Sequence, residues 1–169
     1  EKMSLSSGNI LLLDPQTKTL LLIDVSQKSN EILAGEEQLG NASLAILNGN
    51  FAFTFADDKG VIRTDASNQK QAEVAEADKE WGEIADIGSF GSNAYLLDSR
   101  GDQIWKYVPV ASGYSDKTTY LKDGVEADLS DGVRMQIEAS IYVLKSNGEI
   151  LRFTRGNKDN FTYQGLDKA

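Results

Sequence analysis

The chain has 169 residues, 40% apolar and 25% charged, which suits one compact soluble domain and excludes a disordered polar segment. A net charge of −9 repels phosphate backbones and anionic lipid, so neither nucleic acid nor a membrane surface is an expected partner. Cysteine and histidine are both absent, so disulfides, zinc–thiolate sites and Ser-His-Asp or Cys-His catalysis cannot be built from this chain alone.

Met3-Ser4-Leu5 reads as a short strand. Gly8-Asn9-Ile10-Leu11-Leu12-Leu13-Asp14 then leads through a polar turn to Leu20-Leu21-Leu22-Ile23, with an outer strand over Asn30 to Leu33. The second set is Ser43 to Leu47, then Gly49-Asn50-Phe51-Ala52-Phe53-Thr54-Phe55. A turn at Asp57-Asp58-Lys59-Gly60 leads to Val61-Ile62-Arg63-Thr64, and Gln71 to Ala75 closes the set. The stretch QKQAEVAEADKEW, 69–81, prefers helix by composition. Val74 is its only large apolar residue before Trp81, so a helix would bury little and a strand is expected.

The third set is Glu83 to Gly88, Asn93-Ala94-Tyr95-Leu96-Leu97-Asp98, Gln103-Ile104-Trp105-Lys106-Tyr107, and Thr118 to Leu121. The fourth is Val133 to Ile137, Ser140-Ile141-Tyr142-Val143-Leu144, Ile150-Leu151-Arg152-Phe153, and Phe161 to Gln164. Its hairpin turns at Asn147-Gly148, where both residues tolerate positive φ. Asn9, Asn50, Asn93 and Ser140 anchor the four copies at spacings of 41, 43 and 47 residues. That period is the length of a four-stranded propeller blade. The expected fold is all-β, four repeats of four antiparallel strands forming β-propeller blades at about 1–35, 42–77, 82–122 and 131–166. The repeats form either a small propeller or an arc of a larger one, and a chain that opens at Glu1 and closes just past an outer strand suits a segment of a longer propeller.

Asn93 to Asp98 followed by Gln103 to Tyr107 resembles the NHL and YVTN classes of propeller repeat; the fourth copy departs, with Ser140 and Lys145 in place of Asn and Asp. Tyr95 to Asp167 also resembles propeller regions of uncharacterised bacterial proteins. Ile104-Trp105-Lys106-Tyr107-Val108-Pro109, Asp128-Leu129-Ser130-Asp131, Phe153-Thr154-Arg155-Gly156 and Gly165-Leu166-Asp167-Lys168 carry that likeness. Some of those proteins carry a phosphatase-like domain and a membrane segment upstream. The resemblance therefore implies the extracytoplasmic side of a bacterial membrane protein, although no phosphatase motif stands in this chain and no segment approaches the length of a membrane span.

Asp86, Arg134 and Gln136 fall on inner strands, which line a propeller's channel, and are the candidate ligand contacts; the competing role is to hold channel water. Arg63, Lys106 and Arg152 share one repeat position, either as a ring of cations or as stems covering neighbouring strands. The acidic turns at Asp57 to Gly60 and Asp98 to Asp102 lack calcium-loop spacing and contain Lys59 and Arg100, so they read as hairpin turns; no metal or cofactor is expected. Trp81, Trp105, Tyr107, Tyr114 and Tyr120 suit either a stacking platform or packing between sheets. The composite expectation is a non-catalytic binding or scaffold module that recognises a protein or small ligand through loops at the channel mouth. Two alternatives stand beside it: a hydrolase or lyase using carboxylates such as Asp86 with a metal, and an arc that self-associates through its end blades.

Overall fold

The structure, a computed structural model, describes residues 2–162. Four antiparallel sheets of four strands follow one another along the chain. The first contains β1 (Lys2–Ser6), β2 (Asn9–Asp14), β3 (Thr19–Asp24) and β4 (Ser29–Ala34). After a single helical turn, α1 (Glu36–Leu39), the second contains β5 (Ala42–Asn48), β6 (Phe51–Ala56), β7 (Gly60–Asp65) and β8 (Gln71–Ala75). The third contains β9 (Ile84–Phe90), β10 (Asn93–Asp98) and β11 (Gln103–Tyr107). A two-stranded excursion, β12 (Pro109–Val110) and β13 (Gly113–Tyr114), precedes its outer strand β14 (Thr118–Thr119). The fourth contains β15 (Gly132–Ile137), β16 (Ile141–Lys145), β17 (Ile150–Thr154) and β18 (Asn157–Lys158).

The inner strands pack in succession, β1 on β5, β5 on β9 and β9 on β15, so the sheets stand side by side as blades. Apolar residues occur on both faces of the strands because each interior blade is covered on both sides. Leu11, Leu13, Leu20, Leu22 and Leu33 of the first blade meet Ala42, Leu47, Ala52 and Ala56 of the second. Phe53, Phe55, Val61 and Val74 of the second meet Ile87, Ala94, Leu96 and Tyr107 of the third. Tyr95, Leu97 and Ile104 of the third meet Met135, Ile141, Val143 and Phe153 of the fourth. Large Leu side chains of the first blade thus lie opposite Ala42, Ala52 and Ala56 of the second in the first joint, which lets the sheets approach closely.

The strand at Gln71–Ala75 forms despite its helical composition, because pairing with β7 buries Val74 in the core between the second and third blades. Three local expectations are corrected. The register aligns Phe51, not Asn50, with Asn9 and Asn93, since Ser6 faces Asn9, Asn48 faces Phe51 and Phe90 faces Asn93. The third outer strand is shorter than Thr118 to Leu121 and pairs only Thr118 and Thr119 with β11. The fourth outer strand is Asn157–Lys158; Phe161 and Thr162 are not in a strand, and the rest of the expected segment, 163–164, lies outside the described residues.

Candidate functional site

Polar side chains on the inner strands tie each blade to the next. Ser4 Oγ accepts the Leu47 N–H at 3.0 Å and Ser6 Oγ the Gly49 N–H at 3.1 Å, joining β1 to β5. Asn48 Nδ2 donates to Ser89 Oγ at 3.1 Å and to the Gly91 carbonyl at 2.8 Å, joining β5 to β9. Asp86 Oδ2 accepts the Met135 N–H at 2.7 Å, joining β9 to β15. Apolar packing alone would leave the sheets free to slide, whereas these directional bonds set their relative height.

The four inner strands share a concave cavity of about 380 Å³. Asp86, Arg134 and Gln136, the three residues singled out from the sequence, all line it, together with Lys2 from the first blade. Asp86 is half-buried while Arg134 and Gln136 are exposed. Burial pushes the Asp86 carboxyl above its ordinary value, against the opposing pull of N–H bonds from Met135 and Ile87 and of the Arg134 and Lys2 charges. Its acceptor capacity is thus largely committed to backbone. Arg134 donates Nη1 to the Val133 carbonyl at 2.9 Å, which leaves most of its guanidinium donors open to the cavity.

The cations at the shared repeat position do not form a ring. Arg63 lies 4.7 Å from the Phe51 ring centroid and 5.7 Å from that of Tyr114, which β13 brings over the second blade. Lys106 lies 6.0 Å from the Tyr95 ring. Arg152 lies 5.0 Å from the Phe161 ring and pairs with Asp159 at 2.7 Å. Each stem covers its own blade and each charge is held over an aromatic face.

The five aromatic residues disperse rather than form a platform. Trp81 leans on Phe55 at 5.6 Å and donates to the Tyr107 hydroxyl at 3.1 Å, while Trp105 donates to Asp98 at 3.0 Å. Tyr120 meets Tyr95 edge-on at 6.0 Å, and Tyr114 sits under Arg63. Burial pushes the Tyr107 phenol up to about 12 against the lowering pull of the Trp81 bond, so it is a neutral packing group.

A second cavity, of about 540 Å³, opens between the third and fourth blades, where Tyr95, Tyr120 and Phe90 approach Lys106 and Arg155. No short motif signals it, because its residues come from six separate segments of the third and fourth blades. Among the described residues, no group of three or more carboxylates is placed to hold a metal ion. The acid-rich segment before β15 is instead engaged with Lys145, whose ammonium lies 2.8 Å from Asp131 Oδ1 and 3.1 Å from Asp128 Oδ2.

No family model matches the sequence, and no curated protein is significantly similar to it. Solved structures share the arrangement of sheets. A chain from a nidogen/laminin complex superimposes with a TM-score of 0.68 at 10% identity, over 94% of this chain and 61% of that one. A Bacteroides thetaiotaomicron protein of unknown function gives 0.66 at 11%, over 89% and 44%. The chain is a β-propeller module. A computationally designed protein, Ika4, gives 0.58 at 10% identity, over 90% of the module and 88% of the designed chain. At these identities the likeness bears on fold alone, and the module spans less than two thirds of the first two chains it matches.

Proposed function

We propose that this propeller module, of the NHL/YVTN class, is a non-catalytic binding element that holds a carboxylate-bearing small molecule or peptide side chain in its concave cavity. The observation that carries this reading is the division of labour among the cavity's polar groups. Asp86 accepts two backbone N–H groups, so it is a strut between blades. The groups left to a ligand are the Arg134 guanidinium, the Gln136 amide and the Lys2 ammonium, which lie on the fourth and first blades and face one cavity. Guanidinium and amide donors together recognise the planar two-oxygen geometry of a carboxylate. The same commitment of Asp86 to backbone donors weighs against its serving as a metal-bearing catalytic acid, the alternative that the sequence left open. The extracytoplasmic bacterial setting belongs to this reading through the repeat resemblance.

The test is thermal unfolding against a panel of dicarboxylates and acidic peptides. A saturable rise in Tm that disappears in both Arg134→Ala and Gln136→Ala is expected. A panel without effect, or a rise that survives both substitutions, sinks the assignment.

A further inference from the structure

One position recurs in the second, third and fourth blades as Arg63, Lys106 and Arg152. Each lies on the third strand of its blade, opposite an aromatic residue of the second strand: Phe53, Tyr95 and Tyr142. Two of these cations are also covered by a ring from outside their own hairpin. Arg63 lies 5.7 Å from Tyr114, which β13 supplies, and Arg152 lies 5.0 Å from Phe161, which follows β18. Tyr114 does more than cover. Its hydroxyl accepts from Arg63 Nη1 at 3.4 Å and donates to the Ser92 carbonyl at 2.9 Å, in the turn between β9 and β10. One phenol ring thus spans the joint, from the cation of the second blade to the inner turn of the third.

At the next joint the same two landmarks border a cavity. Lys106 of the third blade and the 138–140 turn of the fourth, the counterpart of the turn at Ser92, both line the space of about 540 Å³ between these blades. Among the described residues, the aromatic face presented to Lys106 is that of Tyr95 in its own hairpin, at 6.0 Å. Neither Lys106 nor Arg155, which the tight turn between β17 and β18 holds at the cavity, forms an ion pair among the described residues. Tyr95 accepts from Asn93 Nδ2 at 3.3 Å, which leaves its own hydroxyl hydrogen to donate. Tyr120 stands edge-on to Tyr95, and Phe90 on the cavity wall is 50% exposed. An exposed aromatic wall with a few convergent polar groups, in a volume within the usual range of about 300–1,000 Å³, is the make-up of a small-molecule site. Glu138, exposed on the fourth-blade side, opposes a second negative charge in the occupant.

We infer that this cavity binds a small aromatic monocarboxylate. Its ring takes, between the third and fourth blades, the place that Tyr114 takes between the second and third, and its carboxylate meets Lys106 and Arg155. The ring gives Lys106 the aromatic cover that Arg63 and Arg152 already have. Phe90 and Tyr120 add aromatic contacts at its edge and face. The carboxylate receives charge-assisted bonds from an ammonium and a guanidinium, with the Tyr95 hydroxyl as a further donor. This site shares no lining residue with the concave cavity of the inner strands, so it stands or falls independently of carboxylate binding there.

Isothermal titration calorimetry of the 169-residue chain with 4-hydroxyphenylacetate tests this. Saturable binding is expected. Acetate, which lacks the ring, and 4-methylphenol, which lacks the acid, are each expected to bind at least about 10-fold more weakly. Lys106→Met, which keeps the stem over the blade, and Arg155→Gln are each expected to weaken binding by at least about 10-fold, with circular dichroism reporting the fold. Arg134→Ala, in the concave cavity, is expected to leave the affinity unchanged. The absence of saturable binding, equal affinity for acetate, or binding that Lys106→Met and Arg155→Gln leave intact overturns the assignment. Binding that Arg134→Ala abolishes and Lys106→Met preserves belongs to the concave cavity, and overturns it too.

Discussion

Asp98 and Lys145 occupy the same place in successive blades and hold the incoming chain with opposite charges. Asp98 is buried and accepts N–H groups of Gly82 at 2.8 Å, Glu83 at 3.0 Å and Gly101 at 2.8 Å, besides the Trp105 indole. Lys145 instead donates to the Asp128 carbonyl at 3.2 Å and pairs with Asp128 and Asp131, in the segment that precedes its own inner strand. Burial raises the Asp98 pKa, but its four donors outweigh burial and hold the carboxyl below its ordinary value. At Asp86 burial wins and the pKa is raised. The two carboxylates therefore act on stability with opposite sign. The depressed Asp98 stabilises above the unfolded pKa of about 3.9, and that contribution is lost as pH falls through the folded value. The raised Asp86 favours the fold only while protonated, so its ionisation as pH rises through the folded value costs stability. Asp98→Asn is expected to lower stability at pH 7 by about 1–3 kcal/mol, with the deficit shrinking below pH 4. Asp86→Asn, whose amide oxygen still accepts from Met135, is expected to raise stability at pH 7, with the gain fading on acidification. Urea unfolding between pH 7 and pH 3 checks both, and the same sign of effect at both sites would refute the assignment.

At the scale of elements, the turns decide how well each blade closes. Gly60 begins β7 at φ +81°, and a Cβ there would stand 2.1 Å from the Ala75 carbonyl oxygen of β8. Gly49, in the turn between β5 and β6, has φ +57° and open space around it. Gly60→Ala is expected to cost about 2 kcal/mol more than Gly49→Ala, because the second substitution pays only for backbone conformation while the first also displaces an outer strand. Chemical denaturation of the two variants reads that difference directly. The hairpins were legible in the sequence for the same reason: apolar runs of strand length flank turns whose residues accept unusual φ. The outer strands were less so. This holds for β14 and β18, which contribute no residue to the apolar cores and whose Thr118, Asn157 and Lys158 are exposed, whereas β4 and β8 bury Leu33 and Val74. The β12–β13 excursion left no periodic signal, since it buries only part of Tyr114 against the second blade. The anchor was displaced by one residue at Asn50 because a Gly-Asn turn precedes both β2 and β6 in the sequence but ends one position earlier in the second blade. Only the register reveals that Asn9 has Phe51 as its counterpart.

Across the whole molecule, the sequence carried the repeat and the polar character of the inner strands, and so placed Asp86, Arg134 and Gln136 on one concave wall. It could not carry the division between them. Asp86 becomes a strut and Arg134 stays open only because β9 and β15 lie at a particular relative height, a property of sheet packing rather than of either segment. The cavity beside Tyr95 and Arg155 was invisible for a related reason, being a gap between two blades rather than a feature of one.

Among the described residues three cores join the four blades, and this sets how they come apart. A ring has no first blade to lose, but an open row does: its stability is a sum of blade terms and nearest-neighbour terms, and each end blade has only one of the latter. Unzipping from the ends should therefore precede global unfolding. In dilute solution, amide hydrogen exchange is expected to be fastest in β1 to β4 and in β15 to β18, and slowest in β6 and β10, whose blades are clasped on both sides. Exchange that is uniform across the four blades at every concentration would show that the ends are not free to fray.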